Sequence, residues 1–124
     1  MDYENLSKNE YIVENVSVEA GILNDIFAAS LQFGEKWRRP IIEWVKELYT
    51  YFEPNEQEIL SSYIEKVRKN IEDFICVLYY EKHEKNTEII ERDTKTLIAK
   101  EYPWMNSDNV SHMVSQGIYY AWRG

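Results

Sequence analysis

The sequence predicts an all-α fold, a single compact bundle of five or six helices formed by one domain over residues 1–124. Three observations predict it. Apolar residues recur with helical spacing through most of the chain. No glycine or proline interrupts residues 55–102. A chain of 124 residues is the size of one ordinary domain, and it buries enough surface to form a core.

The first helix is expected over residues 18–33, where apolar residues follow an i, i+3, i+4 pattern. Ser17 is a suitable N-cap for this helix, and Gly34 is a suitable residue just after its end. The preceding segment, NEYIVENVSV at residues 9–18, is compatible with a short helix or with an irregular arm. The sequence alone leaves both alternatives open.

The second helix is expected to begin at Pro40, because proline at a first helical turn loses no needed hydrogen bond. Pro54 is expected to end it. Asn55 is expected to cap a third helix that continues for about six turns to Leu78. The run FICVLYY within it could be a buried strand, but the helical pattern that starts at Leu60 continues through it and favours a helix.

A charged loop at residues 81–86 separates the third helix from a fourth, which Thr87 is expected to cap. The fifth helix is expected to start at Asn106 or Ser107. We expect Gly117 to let a neighbouring helix approach closely, Tyr120 to lean toward the core margin, and Tyr119 to face solvent or a partner. The apolar face of this last helix consists of Val110, Met113, Val114, Gly117, Ile118, Ala121 and Trp122.

The net charge of −8 is unevenly distributed along the chain. Residues 1–58 contain 12 acidic and 5 basic side chains, whereas residues 59–124 contain 10 and 9. Direct binding to nucleic acid needs positive charge, so this distribution argues against it and favours a basic protein partner. The alternative is that the acidity only keeps the protein in solution.

The sequence contains little that resembles catalytic chemistry. Its two histidines are His83, in a charged loop, and His112, four residues after Asp108, where a plain surface pair is the favoured interpretation. Metal-binding spacings and phosphate-binding glycine loops are absent, and Cys76 lies in an apolar run that favours an inert thiol. We therefore expect a protein that is not an enzyme and that has no metal or cofactor.

Other segments bear on location and on charge. The chain shows neither the features of a signal peptide at its start nor an apolar run long enough to span a bilayer, so a cytoplasmic protein with no membrane partner is expected. The one cationic cluster, EKWRRP at residues 35–40, is interpreted as a helix end that pairs with local glutamates. Stacking on a nucleic acid is the alternative for this cluster.

The strongest candidate for a functional surface is an acidic, tyrosine-rich corner around Pro54. Acidic rims raise association rates, and tyrosines supply anchoring area at the centre of an interface. A solvated helix–loop–helix corner is the alternative interpretation. The candidate partner-binding residues are Glu43, Glu47, Tyr49, Tyr51, Glu53, Glu56 and Glu58, together with Tyr119 near the end of the chain.

The closing segment, NVSHMVSQGIYYAWRG, resembles the C-terminal helix of some immunity proteins of bacterial contact-dependent growth inhibition systems. The resemblance covers about sixteen residues and contains no motif that defines the family, so no residue role is transferred. It implies a tight complex with the toxic domain of a secreted effector, often a nuclease with a basic substrate groove. The immunity protein would cover that groove and neutralise the toxin.

Two other classes of protein fit the same composition. An acidic inhibitor of phage origin that mimics DNA would spread carboxylates along a whole face, whereas here they concentrate in one half of the chain. A helical regulatory subunit without catalytic activity would act through an apolar surface and would form a stable oligomer by itself.

Overall fold

The computed structural model describes residues 9–31 and 40–123, and these residues are mostly helical, as the sequence predicts. The chain forms two compact units, Met1–Lys66 and Val67–Gly124, and a single bundle stays a prediction. The elements in chain order are β1 (Glu10–Val13), β2 (Val16–Glu19), α1 (Ala20–Ala29), α2 (Ile41–Leu48), α3 (Pro54–Cys76), a π-helical turn (Val77–Glu81), α4 (Thr87–Glu101) and α5 (Ser107–Arg123).

A β-hairpin replaces both alternatives that the sequence left open for residues 9–18. Strands β1 and β2 pair antiparallel, with Val13 opposite Val16, so that Glu14 and Asn15 form a two-residue turn. Val13, Val16 and Val18 are buried, while Ser17 and Glu19 on β2 are exposed. Alternation of buried and exposed residues is typical of a half-buried hairpin. Each strand has only four residues, which is too short for this alternation to predict the hairpin from the sequence.

The hairpin also moves the start of the first helix. Helix α1 begins at Ala20 and not at residue 18, because the chain up to Glu19 belongs to β2. Ser17 therefore lies in a strand, and the prediction that it caps this helix is wrong. The expected end of the helix at Gly34 and the cationic cluster at residues 35–39 lie outside the described residues.

The first unit is completed by α1, α2 and the beginning of α3. Helix α1 contacts both β2 and α2. Helix α2 begins at Ile41, one residue after the expected start at Pro40, and it stops at Leu48, so Pro54 is the first residue of α3 rather than the end of α2. Proline is suited to a first helical position because its missing N–H would have no partner there. The buried apolar side chains of these elements include Leu23, Ile26, Phe27, Ile41, Val45, Leu60 and Ile64.

The second unit contains the rest of α3, the π-helical turn, α4 and α5. Helix α4 is capped by Asn86, whose side chain accepts from the N–H of Glu88 at 2.9 Å, and not by Thr87. Helix α5 is capped by Asn106, which accepts from the N–H of Asn109 at 2.8 Å, so one of the two predicted caps is confirmed. Buried side chains of this unit include Ile71, Ile75, Ile90, Ile98, Trp104, Met113, Val114 and Ala121.

The closing helix is mainly a packed element, as its apolar pattern predicts. Gly117 is buried and lies so close to Ile75 of α3 that a side chain at this position would collide with it, which confirms the predicted close approach. Trp122, by contrast, is 69% exposed, so its assignment to the apolar face is wrong. It follows Ala121 by about 100° around the helix, beyond the narrow stripe that is covered.

Candidate functional site

The predicted surface lies where α2 ends and α3 begins. We call it the acidic corner and define it by Glu43, Glu47, Tyr49, Tyr51, Glu53, Glu56 and Glu58, all of which belong to the first unit. Tyr119 belongs to the second unit, where it is exposed and its hydroxyl accepts a hydrogen bond from Arg123 at 2.9 Å. The corner is therefore described without it.

Tyr49 connects the acidic corner to neighbouring elements through its backbone and its hydroxyl group. Its backbone N–H donates to the carbonyl oxygen of Val45 at 2.8 Å, and its own carbonyl accepts from the side chain of buried Gln57 at 3.0 Å. Its hydroxyl lies 3.4 Å from the Oδ2 of Asp25 on α1. Tyr49 is half-buried and held at both ends, so it positions the turn that follows it.

Tyr51 is the exposed aromatic side chain of the corner. It is 67% exposed, and its ring meets that of Tyr49 edge-on at 6.3 Å and that of Phe52 at 4.6 Å. Partial burial, and then the nearby carboxylate of Glu19, raise the pKa of the Tyr51 phenol. The ring is thus held by its neighbours in an orientation that leaves most of it accessible.

Leu48 adds an exposed apolar side chain at the end of α2. It is the last residue of α2 and is 50% exposed. Leu48 and Tyr51 together present apolar area within a predominantly acidic segment. An aromatic and an aliphatic side chain surrounded by charged residues is a typical arrangement at protein–protein interfaces.

The carboxylates of the corner do not share one role. Glu43 and Glu47 are exposed and lie one turn apart on α2, and Glu53 is exposed in the turn. Glu56 is half-buried, and its Oε1 accepts from the backbone N–H of Glu53 at 2.9 Å, which stabilises the start of α3. Glu58 also lines a groove beside β1, so this carboxylate of the corner borders a second surface as well.

Two carboxylates that sequence reasoning missed join the corner from other elements. Glu19, at the end of β2, lies close enough to Tyr51 to raise its pKa, and Asp25 of α1 contacts the hydroxyl of Tyr49. They stand 24 or more residues before the tyrosines that they approach. No local pattern could have associated them, because tertiary packing alone places them there.

The charge asymmetry of the sequence follows the two units. Over the described residues of the first unit, 9–31 and 40–66, there are 10 acidic and 2 basic side chains. The described residues of the second unit contain 9 and 8, and several pair one turn apart on a helix, as Lys69 does with Asp73 at 3.3 Å and Lys95 with Glu91 at 2.7 Å. The excess negative charge therefore belongs to the unit that carries the acidic corner.

The residues considered for catalysis or metal binding are dispersed. His83 and His112 are both exposed, and no three His, Cys, Asp or Glu side chains in residues 9–31 and 40–123 are arranged to hold a metal ion. Cys76 is half-buried, and burial, together with Asp73 and Glu72, raises the pKa of its thiol. A raised pKa disfavours the thiolate, which is the reactive form.

Comparison with known proteins gives no information on function, so a proposal of function depends on the sequence and the structure. No protein-family model matches the chain, and the comparisons with curated proteins and with solved structures found no match. Within the described part of the chain, none of the helices combines the length and hydropathy that crossing a bilayer requires.

Proposed function

We propose that this protein is an immunity protein, which binds and neutralises a basic toxin domain in the cytoplasm. The toxin is a nuclease, and the bound protein covers its substrate groove. The observation that carries the proposal is the acidic corner, where exposed Tyr51 and Leu48 lie among carboxylates of a unit with 10 acidic and 2 basic described side chains.

Charge complementarity supports a nuclease as the partner. An enzyme that binds nucleic acid needs lysine and arginine in its substrate groove to neutralise phosphates. The same groove attracts a surface rich in carboxylates, and such attraction accelerates association. A protein that occupies the groove excludes the nucleic acid by competition, without any chemical step of its own.

The exposed apolar side chains supply the part of the affinity that charge alone does not. Tyrosine is enriched among the residues that dominate binding energies, and loss of such a side chain costs about 2 kcal/mol or more, which is roughly a 30-fold loss of affinity. Tyr51 fits this role because its contacts with Tyr49 and Phe52 restrict the ring before binding.

The other two classes have less support. A DNA mimic needs carboxylates that stand alone along a face, whereas carboxylates of the second unit pair with lysine or arginine at Glu72, Asp73 and Glu91. A regulatory subunit that acts through an apolar surface predicts a stable oligomer of the protein alone. Size-exclusion chromatography with light scattering distinguishes that class, since the immunity proposal expects a monomer that becomes larger only with its toxin.

The direct test is coexpression with the toxin-like protein encoded by the neighbouring gene, followed by purification of the complex and a nuclease assay. We expect a stable complex and loss of nuclease activity at equimolar protein. Tyr51→Ala should weaken binding by roughly 30-fold. Failure of the neighbouring toxin-like protein to bind, or full nuclease activity within the complex, would overturn the proposal.

Trp122→Ala is the matched control, because Trp122 is 69% exposed and Tyr51 is 67% exposed. Trp122 lies in the second unit, where it forms an aromatic cluster with Tyr119, whose ring centre is 6.5 Å away. If the toxin binds at the acidic corner, Trp122→Ala should bind the toxin with normal affinity. If Trp122→Ala abolishes binding and Tyr51→Ala does not, the toxin contacts the aromatic end of α5 and the assignment to the corner is wrong.

We further propose that the 124 residues form one helical domain in solution. The proposal predicts one cooperative unfolding transition, with the same midpoint by circular dichroism and by tryptophan fluorescence. Two separate transitions would show that the two compact units unfold independently.

A further inference from the structure

A groove in the first unit lies apart from Tyr51 and has features of a peptide-binding site. Its volume is about 580 Å³, and on one side it is lined by the end of β1 and its turn, through Ile12, Val13 and Glu14. On the other side it is lined by three turns of α3, through Asn55, Glu58, Ile59, Ser62, Tyr63 and Lys66. Residues 55–66 of a helix span about 16 Å, which is the length of about five extended residues.

The lining residues show that this groove follows the edge of β1. Successive residues of a strand project to opposite faces, so a cavity lined on one strand by both Ile12 and Val13 runs along its edge. The other edge of β1 is paired with β2, and no described strand pairs with the edge that borders the groove. The groove is therefore a gap between a free strand edge and a helix.

The register of the hairpin identifies the backbone groups that point into this gap. Val13 and Val16 close a two-residue turn, so they form a hydrogen-bonded pair, and the next pair, Ile12 and Ser17, is a non-hydrogen-bonded pair. The N–H and C=O of Ile12 consequently point away from β2, toward the free edge. The side chain of Ile12 is 77% exposed, which is unusual for an isoleucine.

We propose that the free edge of β1 binds an extended basic segment of the partner protein, which adds a third strand to the hairpin and fills the groove beside α3. Main-chain hydrogen bonds to Ile12 supply affinity, and side chains on alternate positions of the bound strand contact the groove. The inference concerns a surface distinct from Tyr51 and does not depend on the partner being a nuclease.

Charge selects this occupant over a second copy of the chain. Antiparallel pairing of two β1 edges centred on Ile12 would set Glu10 of each copy opposite Glu14 of the other, and like charges opposite one another destabilise a strand pair. A partner strand with lysine or arginine two positions on either side of an apolar residue places opposite charges there instead. Among the charged side chains that line the groove, Glu14 and Glu58 are acidic and Lys66 is basic, so the lining itself is net negative.

Glu14 provides a second reason to connect the groove with binding. Its φ of 56° is in the left-handed region, which glycine or asparagine occupies more readily than glutamate. A glutamate at this turn position carries a backbone penalty, yet its side chain lines the groove. A carboxylate that binds a basic residue of the partner accounts for a glutamate at this position.

The probe for the test is a fluorescein-labelled peptide, Thr-Lys-Thr-Val-Thr-Lys-Thr, blocked at both ends. Its binding to the full-length protein is measured by fluorescence anisotropy, and the bound residues are located by amide chemical shifts. We expect saturable binding with shifts confined to residues 10–14 and 55–66. The control peptide Thr-Glu-Thr-Val-Thr-Glu-Thr, which reverses the two charges, should bind at least roughly tenfold more weakly.

The backbone contribution is tested with proline on the two edges of the same hairpin. Ile12→Pro removes the N–H that points to the groove while leaving the ladder with β2 in place, and it should weaken peptide binding roughly tenfold. Ser17→Pro is the matched control, because Ser17 is the cross-strand neighbour of Ile12 and its N–H points to the opposite edge. It should leave peptide affinity unchanged. Circular dichroism checks that both variants remain folded.

A second variant keeps the test decisive if either proline disrupts the hairpin. Glu14→Gly relieves the left-handed backbone and removes the carboxylate, so it should raise the unfolding temperature and yet weaken peptide binding severalfold. Equal binding of both peptides, shifts outside residues 10–14 and 55–66, or self-association of the free protein would each overturn the inference. None of these results bears on toxin neutralisation through Tyr51, which the nuclease assay tests separately.

Discussion

Replacement of Gly117 by alanine is expected to destabilise the protein, although alanine favours helices. Gly117 is buried in the middle of α5, and a Cβ atom there would collide with Cδ1 of Ile75 and would lie 3.8 Å from Cε of Met113. All three residues belong to the second unit. The collision involves the far end of one side chain, so the expected cost is moderate.

The magnitude follows from two opposing effects. Alanine in a helix interior is about 1 kcal/mol more favourable than glycine. An added methyl group in a packed site costs about 1–3 kcal/mol, because neighbouring side chains leave their preferred rotamers. Gly117→Ala should therefore lower the free energy of unfolding by up to about 2 kcal/mol. Ile75→Val, which deletes the colliding atom, should by itself cost about 0.5–1.5 kcal/mol.

The double variant provides the sharp test. Once Ile75 loses Cδ1, the new methyl group at position 117 fills the vacated space, so the two changes should compensate by at least about 1 kcal/mol. Free energies of unfolding from urea denaturation, followed by circular dichroism, measure this coupling. Ile71→Val is the control, since Ile71 is also buried in α3 but is not among the nearest contacts of Gly117.

Additive effects of Gly117→Ala and Ile75→Val would refute the reasoning. Such a result, within about 0.3–0.5 kcal/mol, would mean that the two positions are not in contact. Coupling of the same size between Gly117→Ala and Ile71→Val would also contradict it, because the compensation would then not be specific to the colliding atom.

Three further predictions concern a helix cap, a phenol and a thiol. Asn86→Ala should lower the free energy of unfolding by about 1 kcal/mol because it removes the N-cap of α4, whereas Thr87→Ala should have a much smaller effect. The raised pKa of Tyr51 belongs to the folded state, so its contribution to stability is complete below its ordinary value of 10.0 and is lost as the pH rises through the folded-state pKa. Tyr51→Phe should therefore lose less stability than the wild type above pH 10.0, and Glu19→Gln should lower the pKa of Tyr51, measured by near-ultraviolet absorbance. Cys76 should react with a thiol reagent more slowly in the folded than in the unfolded protein, because its pKa is raised.

Each of these predictions has an outcome that contradicts it. A larger loss of stability for Thr87→Ala than for Asn86→Ala would show that Thr87 caps α4, as the sequence pattern predicted. Identical alkaline unfolding of the wild type and Tyr51→Phe would show that the phenol titrates alike in both states. Rapid reaction of Cys76 in the folded protein, at the rate seen in denaturant, would show an accessible thiolate.

Local features of the chain were predictable wherever a long periodic pattern carried them. The helical conformation of FICVLYY, which comprises the end of α3 and most of the π-helical turn, was predicted because the apolar pattern from Leu60 extends over several turns. Asn106 was predictable as a cap because its side chain bonds to its own neighbourhood in the chain. The close approach at position 117 was predictable because Gly117 lies on the apolar face of its helix.

Tertiary structure decided the features that involve distant residues or partial covering of an element. The hairpin at residues 10–19 has only four residues per strand, too few for a two-residue period to outweigh the helical alternative. Periodicity shows which residues share a face, but neighbouring elements decide how much of that face is covered, so Trp122 is exposed against expectation. The approach of Glu19 and Asp25 to the tyrosines of the acidic corner likewise depends on packing between elements, which no local spacing encodes.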